Sequence, residues 1–272
     1  MPHIPRVRSR GHLPVAAAVA AAVITPLFAT PTASAAAQAV TLPPAHAGFD
    51  YQINQPYAPP AGVQVVSRDH TAAPAAGLYN ICYVNAFQAQ PGAEKEWGDL
   101  LLRDANGDIV YDGRWGEAML DVRTDAKRKL IAAKVNSWTD TCAGKGFDAV
   151  EPDNLDTFDR TDLISEDDAK TFVRLLADHA HDKGLAIAQK NASGLSADHK
   201  ETGLDFAVAE ECGEWNECGD YAKGFGDHVI VIEYEEKYLK KTCAAFGDRL
   251  SVVLRDVDVS APGDDAYVRK TC

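Results

Sequence analysis

The segment FDAVEPDNLDTFDRTDLISEDDAKTFVRLLADHAHDKGLAIAQKN, residues 147–191, places one helical pattern between two short apolar runs. Ser165 is a typical helix N-cap, three acidic residues fill the first turn after it, and Gly184 is a natural end. The apolar positions between them recur at helical spacing and predict one buried stripe: Ala169, Phe172, Val173, Leu176 and Ala180. This strand–helix–strand unit predicts a parallel α/β fold.

The same alternation extends outward from this segment in both directions. The runs that predict buried parallel strands are 49–54, 63–66, 78–84, 147–151, 185–189, 205–210, 228–233 and 250–254. A weaker helix is predicted at 236–246. A stronger one is predicted at 124–145, ending at Gly144, with these residues on its apolar face: Leu130, Ile131, Val135, Trp138 and Cys142. Eight strands favour a closed barrel over an open sheet, so the fold class is α/β, a single (β/α)8 TIM barrel over residues 49–272.

The first 37 residues have the pattern of a secretion signal peptide. Three arginines precede an apolar run from Val15 to Phe28, and Ala33-Ser34-Ala35 resembles a cleavage signal, so we expect cleavage near Ala35 to Ala39. The run is shorter than the ~20 apolar residues that a membrane span needs. We therefore expect a secreted, extracellular protein with no membrane association in its mature form, beginning with a flexible Ala/Pro-rich segment at 38–48.

The chain has six cysteines, an even number that predicts disulfides in an oxidising compartment. About fifteen pairings are possible in principle. A short Cys212–Cys218 loop is plausible, and a Cys243–Cys272 bridge would tie down the C-terminus and leave Cys82 to pair with Cys142. The alternative of a metal site is disfavoured because the sequence has no C-x-x-C pair and no histidine near the cysteines. We therefore expect a disulfide-stapled fold with no metal ligands.

The formal charge of the 272-residue chain is −13. Removing residues 1–37 deletes three arginines and no acid, which takes the charge from −13 to about −16. Nucleic acid is an unsuitable partner because phosphate binding needs basic surface. An acidic surface can attract a cationic substrate, or it can serve solubility alone.

Polar residues follow the predicted strands one after another, and in a barrel these strand ends converge on one rim. They are Asp69, Tyr83, Asn85, Glu151, Asp153, Gln189, Lys190, Asn191, Glu210, Glu211, Glu233, Tyr234, Arg255 and Asp256. Glycosidic cleavage requires two carboxyl groups at one site. One carboxylic acid protonates the departing oxygen, and a second carboxylate attacks the sugar or activates water. Crowded carboxylates repel one another and need cations such as Lys190 or Arg255 nearby. The aromatic rings of Tyr83, Trp115 and Tyr234 could stack on sugar rings. An acidic rim can also hold Mg²⁺ or Ca²⁺, although no EF-hand pattern is present.

Several of these elements together resemble glycoside hydrolase family 114, the endo-α-1,4-polygalactosaminidase-like family. They are 49–54 (FDYQIN), 81–85 (ICYVN), 120–123 (LDVR), 146–154 (GFDAVEPDN), 189–191 (QKN), 210–212 (EEC) and 254–256 (LRD). The resemblance covers residues 49–256. The chain departs from the family's pattern at 83–90 (YVNAFQAQ), where the family tends to have Y-F-S-A-G-S-Y-E, and in the long segment 87–117, which we expect to wall the cleft.

The resemblance implies a retaining, endo-acting hydrolase of an α-1,4-linked galactosamine polymer, which is cationic when deacetylated. It implies Asp153 as the nucleophile and Glu211 as the acid/base, with Glu151 and Glu210 as their competitors. The residues expected to bind substrate are Tyr83, Asp121, Arg123, Asn154, Lys190, Glu233, Tyr234 and Arg255. No cofactor is implied, and we expect a monomer. The alternatives are a non-catalytic carbohydrate-binding barrel and a metal-dependent ester hydrolase.

Overall fold

A computed structural model describes residues 40–272, which fold around one curled parallel sheet. The strands are β1 (Phe49–Gln52), β2 (Val65–Asp69), β3 (Tyr79–Asn85), β4 (Gln88–Ala89), β5 (Ala118–Met119), β6 (Ala149–Asp153), β7 (Ala186–Lys190), β8 (Phe206–Glu210), β9 (Val229–Glu233), β10 (Ser251–Arg255) and β11 (Arg269–Thr271). Hydrogen-bonded neighbours follow the order β1-β2-β3-β6-β7-β8-β9-β10-β11, and every pair is parallel except β10 with β11. The prediction of a TIM-barrel fold is confirmed, and each of the eight predicted strands is present.

The barrel seam lies between β10 and β1, where side chains make the connection. Arg255 at the end of β10 donates to the Tyr51 carbonyl, and its guanidinium lies 3.3 Å from Asp50 Oδ1. Arg269 of β11 donates to the Phe49 carbonyl over 2.9 Å. The C-terminal strand therefore fastens the first strand of the barrel to the last.

Seven α-helices accompany the strands. They are α1 (Glu94–Trp97), α2 (Asp125–Lys145), α3 (Glu166–Asp182), α4 (His199–Thr202), α5 (Cys212–Trp215), α6 (Cys218–Phe225) and α7 (Glu236–Phe246). Ser165 caps α3 through a capping box with Asp168, and the predicted apolar stripe of this helix is buried. Within residues 40–272, no helix combines the length and apolar composition needed to cross a membrane.

Two details predicted for α2 are wrong. The helix runs through Gly144 and ends at Gly146, whose φ of 89° closes the helix with a left-handed residue. Leu130 is 59% exposed, whereas its neighbour Ile131 is buried. The buried face is centred on Ile131, Val135 and Cys142, and Leu130 lies about 100° around the helix from Ile131, toward solvent.

Side chains alternate strictly between two layers along each barrel strand. The inward positions fill the barrel interior with Phe49, Tyr51, Val65, Ile81, Ala149, Ala186, Ala188, Phe206, Val208, Ile230, Ile232 and Val253. The positions between them, such as Cys82, Val150 and Val231, point outward and pack under the helices. This alternation decides which polar residues at the strand ends reach the mouth of the barrel.

Three disulfides join distant parts of this framework in the expected pairing. Cys82 of β3 bonds to Cys142 of α2, Cys243 of α7 bonds to Cys272, and Cys212 bonds to Cys218. The expectation of a disulfide-stapled barrel is confirmed.

Residues 40–48 lie against the base of the barrel. The Thr41 carbonyl accepts a hydrogen bond from the Tyr79 hydroxyl over 2.7 Å, and the Ala47 amide donates to Ser251 Oγ over 2.9 Å. Flexibility of the segment 38–48 stays a prediction. The predicted signal peptide, residues 1–37, lies outside the described residues.

Candidate active site

The carboxyl ends of the parallel strands open into one long cleft of about 1300 Å³. Residues distant in sequence meet there because all eight strands point the same way. The lining residues that bear on chemistry are Tyr51, Tyr83, Asn85, Asp112, Arg114, Trp115, Glu117, Asp153, Asn154, Asp156, Arg160, Lys190, Asn191, Glu210, Glu211 and Tyr234. The cleft is larger than a typical small-molecule site of roughly 300–1,000 Å³, as a polymer would require.

Lys190, the last residue of β7, is the electrostatic centre of the cleft floor. Its Nζ lies 3.0 Å from Asp153 Oδ1, 3.1 Å from Glu210 Oε2 and 3.6 Å from Glu151 Oε1. It also donates to the Tyr51 hydroxyl over 3.2 Å. Burial disfavours the ammonium, but the surrounding carboxylates outweigh burial and raise the pKa of Lys190 well above its ordinary value. The floor therefore contains a permanent positive charge shared by three acids.

Asp153 ends β6 and remains partly exposed to the cleft. Its Oδ2 accepts a hydrogen bond from the Tyr83 hydroxyl over 2.6 Å, and its Oδ1 accepts from Lys190 and from the Asn154 amide. Burial would raise the pKa of the Asp153 carboxyl, but the charge of Lys190 and the Tyr83 hydrogen bond outweigh it and hold this pKa below its ordinary value. Asp153 is therefore an ionised carboxylate facing the cleft.

Glu151 has the same inward orientation as Asp153 but lies one layer deeper. It is completely buried, and its oxygens accept hydrogen bonds from the Tyr51 hydroxyl over 2.9 Å and from Ser67 Oγ over 2.6 Å. Burial raises the pKa of the Glu151 carboxyl against the lowering effect of Lys190. Glu151 is not part of the cleft lining, so it supports the floor and has no access to a sugar ring.

The carboxylate of Glu210, at the end of β8, is held by three donors. The Tyr234 hydroxyl donates to Oε1, and Asn191 Nδ2 and Lys190 Nζ each lie 3.1 Å from Oε2. These three contacts fix the position of the Glu210 carboxylate on the cleft floor.

Glu211 follows immediately and has a different environment. Its φ of 58° is left-handed, which is uncommon for a residue other than glycine or asparagine, and this turn ends β8. Its carboxylate lines the cleft and accepts no hydrogen bond from any residue between 40 and 272. Burial raises the pKa of the Glu211 carboxyl, against the opposing charge of Arg114. Glu211 therefore keeps its proton to a higher pH than an exposed glutamate does.

The segment 87–117 forms one wall of the cleft, as expected. Asp112 is buried and accepts hydrogen bonds from Arg160 over 2.6 Å and from the Arg114 amide over 2.8 Å. Glu117 accepts from Asn85 Nδ2 over 2.9 Å. Trp115 projects from the segment 87–117, and 48% of its surface is exposed.

Sequence reasoning missed Tyr51, Asp112, Glu117 and Arg160 as cleft residues. The inward orientation along β1 could have identified Tyr51, which lies two residues after the buried Phe49. The other three lie in irregular segments, where no periodicity marks a side chain that points inward.

The structure brings Tyr83, Asn154, Lys190 and Tyr234 together in the cleft. Asn154 donates from Nδ2 to Asn85 Oδ1 over 3.0 Å and accepts from Arg160, so it braces the wall against the floor. Direct substrate contact by these four residues stays a prediction.

Four residues expected to bind substrate do not line the cleft. Asp121 and Arg123 form a 2.7 Å ion pair with each other at the start of α2. Arg255 has no exposed surface because it closes the barrel seam. Glu233 points outward from β9, the side opposite Tyr234, because consecutive strand residues face opposite layers.

One group of residues in the described chain has the spacing of a metal site: Cys212, Cys218 and Glu233. The two cysteines are bonded to each other, so neither offers a thiolate ligand. This donor set does not fit a metal ion.

A parallel barrel with two differently tuned carboxylates at the carboxyl rim of a long cleft is the architecture of a glycoside hydrolase. The model of glycoside hydrolase family GH114 matches residues 29–272, and the chain belongs to this family. Among curated protein sequences, none matches this one.

Two solved structures share this fold. Ega3 of Aspergillus fumigatus, solved in complex with galactosamine, superposes with a TM-score of 0.69 at 21% identity, over 86% of this chain and 98% of that one. The glycoside hydrolase domain of PelA from Pseudomonas aeruginosa gives a TM-score of 0.52 at 13% identity, over 81% of this chain and 98% of that one.

Proposed function

We propose that this protein is a secreted endo-acting hydrolase of an α-1,4-linked galactosamine-type polysaccharide, with Asp153 as nucleophile and Glu211 as acid/base. One observation carries the proposal. The two carboxylates line the same cleft, yet their surroundings move their pKa values in opposite directions. Environments that separate two acids in this way assign the base and the acid of a glycosidase.

In the first step, ionised Asp153 attacks the anomeric carbon of the sugar bound above it. Glu211 transfers its proton to the departing glycosidic oxygen as that bond breaks, and a covalent glycosyl ester forms on Asp153. Tyr83 and Lys190 orient the attacking carboxylate. When Asp153 becomes a neutral ester, the Lys190 ammonium group still pairs with the Glu210 carboxylate, which lies 3.1 Å away.

In the second step, Glu211 is ionised and takes a proton from a water molecule, whose oxygen attacks the anomeric carbon and releases Asp153. Two displacements at one carbon retain its configuration. Retention requires the two carboxyl groups to be about 5–5.5 Å apart. Lys190 Nζ lies 3.0 Å from Asp153 Oδ1 and 3.1 Å from Glu210 Oε2, so the residue next to Glu211 lies on the same part of the cleft floor as Asp153.

Asp153 and Glu211 are favoured over their neighbours by access and by hydrogen bonding. Glu151 has no exposed surface, so a sugar cannot reach it. Glu210 is fixed by contacts with Tyr234, Asn191 and Lys190, whereas the carboxylate of Glu211 accepts no hydrogen bond from residues 40–272 and stays free to meet the substrate.

The charge of the cleft supports a cationic substrate. Its lining includes Asp69, Glu96, Asp112, Glu117, Asp153, Asp156, Asp159, Glu166, Glu210, Glu211, Glu217 and Asp258. The permanent cations among the lining residues are Arg114, Arg160 and Lys190. Such a cleft attracts a polymer that carries ammonium groups, as deacetylated galactosamine does. The predicted signal peptide and the three disulfides support action outside the cell.

The test uses mature protein, residues 38–272, with deacetylated and fully acetylated galactosamine polymers, reading products by mass. We expect internal cleavage of the deacetylated polymer. Asp153→Asn and Glu211→Gln each abolish turnover with an unchanged circular dichroism spectrum, while Asp248→Asn, at an exposed position outside the cleft lining, retains it. Tight polymer binding with no new reducing ends would contradict the proposal.

The anomeric configuration of the first product, read by NMR, tests the retaining assignment separately. We expect the α-anomer to accumulate before mutarotation, and the β-anomer would show that Asp153 activates water instead.

A further inference from the structure

Glu233 is a buried carboxylate immediately behind the turn that carries Glu211. It has no exposed surface, and its Oε1 accepts hydrogen bonds from the Gly213 amide over 2.8 Å and from Thr242 Oγ1 over 2.9 Å. Gly213 belongs to α5, two residues after Glu211. Burial raises the pKa of the Glu233 carboxyl against these two hydrogen bonds, which are what offset the cost of removing the group from water.

The contact between Glu233 and Gly213 is close enough to require glycine. A Cβ at residue 213 would lie 2.6 Å from Glu233 Oε1 and 2.1 Å from Thr242 Oγ1. The turn that carries Gly213 therefore packs directly against Glu233 of β9 and Thr242 of α7. A shift of either side chain moves the backbone of this turn.

Two further connections hold the same turn. Lys241 donates to the Gly213 carbonyl and, over 2.6 Å, to Asn216 Oδ1. The Cys212–Cys218 disulfide closes the segment on its other side. The Glu211 amide donates to the Ile232 carbonyl over 2.8 Å, which ties the turn to the residue next to Glu233.

We infer that Glu233 is a positioning residue that sets the place of the Glu211 carboxyl group at the glycosidic oxygen. This inference rests on the proposed role of Glu211 as acid/base. The Glu211 carboxylate accepts no hydrogen bond from residues 40–272, so the backbone of its turn is what determines its position. Its φ of 58° makes that backbone conformation dependent on external support.

The test compares Glu233→Ala with Glu233→Gln, which keeps an acceptor oxygen for Gly213 and Thr242. Two substrates separate acid catalysis from general damage: the deacetylated polymer, whose leaving group needs a proton, and the 2,4-dinitrophenyl glycoside of a short α-1,4-galactosamine oligomer, whose leaving group does not. Displacement of a catalytic group by about 1 Å costs about 100-fold in rate. We expect Glu233→Ala to lose about that factor in kcat on the polymer, with little change in KM. It should retain the first-turnover burst of dinitrophenolate from the aryl glycoside, which reports the attack of Asp153 without acid catalysis.

Glu233→Gln should restore most of the polymer activity. The matched control is Asp121→Asn, which removes another buried carboxylate that lies outside the cleft. It should change both substrates equally. If Glu233→Ala does not fold, Lys241→Met replaces it, because Lys241 is exposed and its loss removes two hydrogen bonds to the same turn.

Equal losses on both substrates in Glu233→Ala, or in Lys241→Met, overturn the inference. Glu211→Gln is measured in parallel and should lose the polymer activity while keeping the first-turnover burst of dinitrophenolate, because the aryl leaving group needs no proton whereas the later hydrolysis of the ester needs Glu211 as base. If Glu211→Gln shows no such difference, the assignment of the acid in the proposed function fails. If it shows the difference and the Glu233 variants do not, only the positioning role fails.

Discussion

Lys190 Nζ and Asp153 Oδ1 form a 3.0 Å ion pair between the ends of two adjacent barrel strands, β7 and β6. The same ammonium group lies 3.1 Å from Glu210 on the next strand, β8. The ammonium group of Lys190 thus pairs with acids from consecutive strands, in a site that water reaches only from the cleft. Because Lys190 is 2% exposed in its side chain, its charge is weakly screened and acts strongly on Asp153.

Lys190→Met should shift the acid limb of the pH profile upward. Lys190 lowers the pKa of the Asp153 carboxyl, so its removal raises that pKa, and a higher pH is needed to ionise the nucleophile. Unpaired buried carboxylates should also reduce the free energy of unfolding by about 3–5 kcal/mol. The pH dependence of kcat/KM and urea unfolding measure the two effects. Lys127→Met, whose ammonium pairs with Asp121 outside the cleft, is the control, and an acid limb that stays in place in Lys190→Met argues against the role of Lys190.

Arg114→Ala should extend activity toward alkaline pH. Arg114 opposes the burial-driven rise in the pKa of the Glu211 carboxyl, so its removal raises that pKa further and Glu211 keeps its proton to higher pH. The alkaline limb of kcat/KM reports this proton. Arg103→Ala removes an arginine of the same segment that binds the Gly107 carbonyl instead, and it should leave the limb unmoved. A downward shift in Arg114→Ala would indicate that another group is the acid.

The disulfides should contribute unequally to stability. Cys82–Cys142 closes a loop of 60 residues and Cys212–Cys218 one of 6. Chain entropy gives about 4 kcal/mol for the longer loop and about 2 kcal/mol for the shorter. Urea unfolding of the Cys82→Ala/Cys142→Ala and Cys212→Ala/Cys218→Ala double variants measures each contribution. Equal losses would show that native contacts, and not loop closure, determine the effect.

Asp121 should make stability depend on pH in the acid range. Burial opposes its ionisation, but hydrogen bonds from Arg123 and Lys127 outweigh burial and lower the pKa of Asp121 to about 2. A depressed pKa stabilises the fold above the unfolded-state value, near 3.9, and this stability is lost as pH falls through about 2. The contribution is about 2 kcal/mol. Unfolding free energies between pH 5 and 2 should fall less steeply in Asp121→Asn than in the parent protein, and parallel curves would contradict the assignment.

The pairing of the six cysteines needed the tertiary structure. Strand positions, the capped helix at 166–182 and the presence of disulfides could be predicted from the sequence. They depend on local features: apolar runs, a serine followed by acids, and the number of cysteines. Alternation along the strands was also available in the sequence. It separates Tyr234, which faces the cleft, from Glu233, which faces away, and it places Glu151 and Asp153 on the same side.

The distinction within each carboxylate pair needed the tertiary structure. Glu151 and Asp153 have the same orientation, and they differ because Tyr51 and Ser67 bury the first while the second stays at the mouth. Arg255 illustrates the same limit, since a strand-end arginine at the correct orientation closes the barrel seam instead of binding substrate.

By itself the sequence determined which elements form and which residue types collect at the barrel rim, because backbone periodicity and helix capping act between neighbours in the chain. Only the tertiary structure decided which carboxyl group has its pKa lowered, as Asp153 does, and which has it raised, as Glu211 does. Those properties depend on burial and on charges contributed by β1, β3, β7 and the 87–117 wall, and electrostatic energies follow distance in space, not separation along the chain.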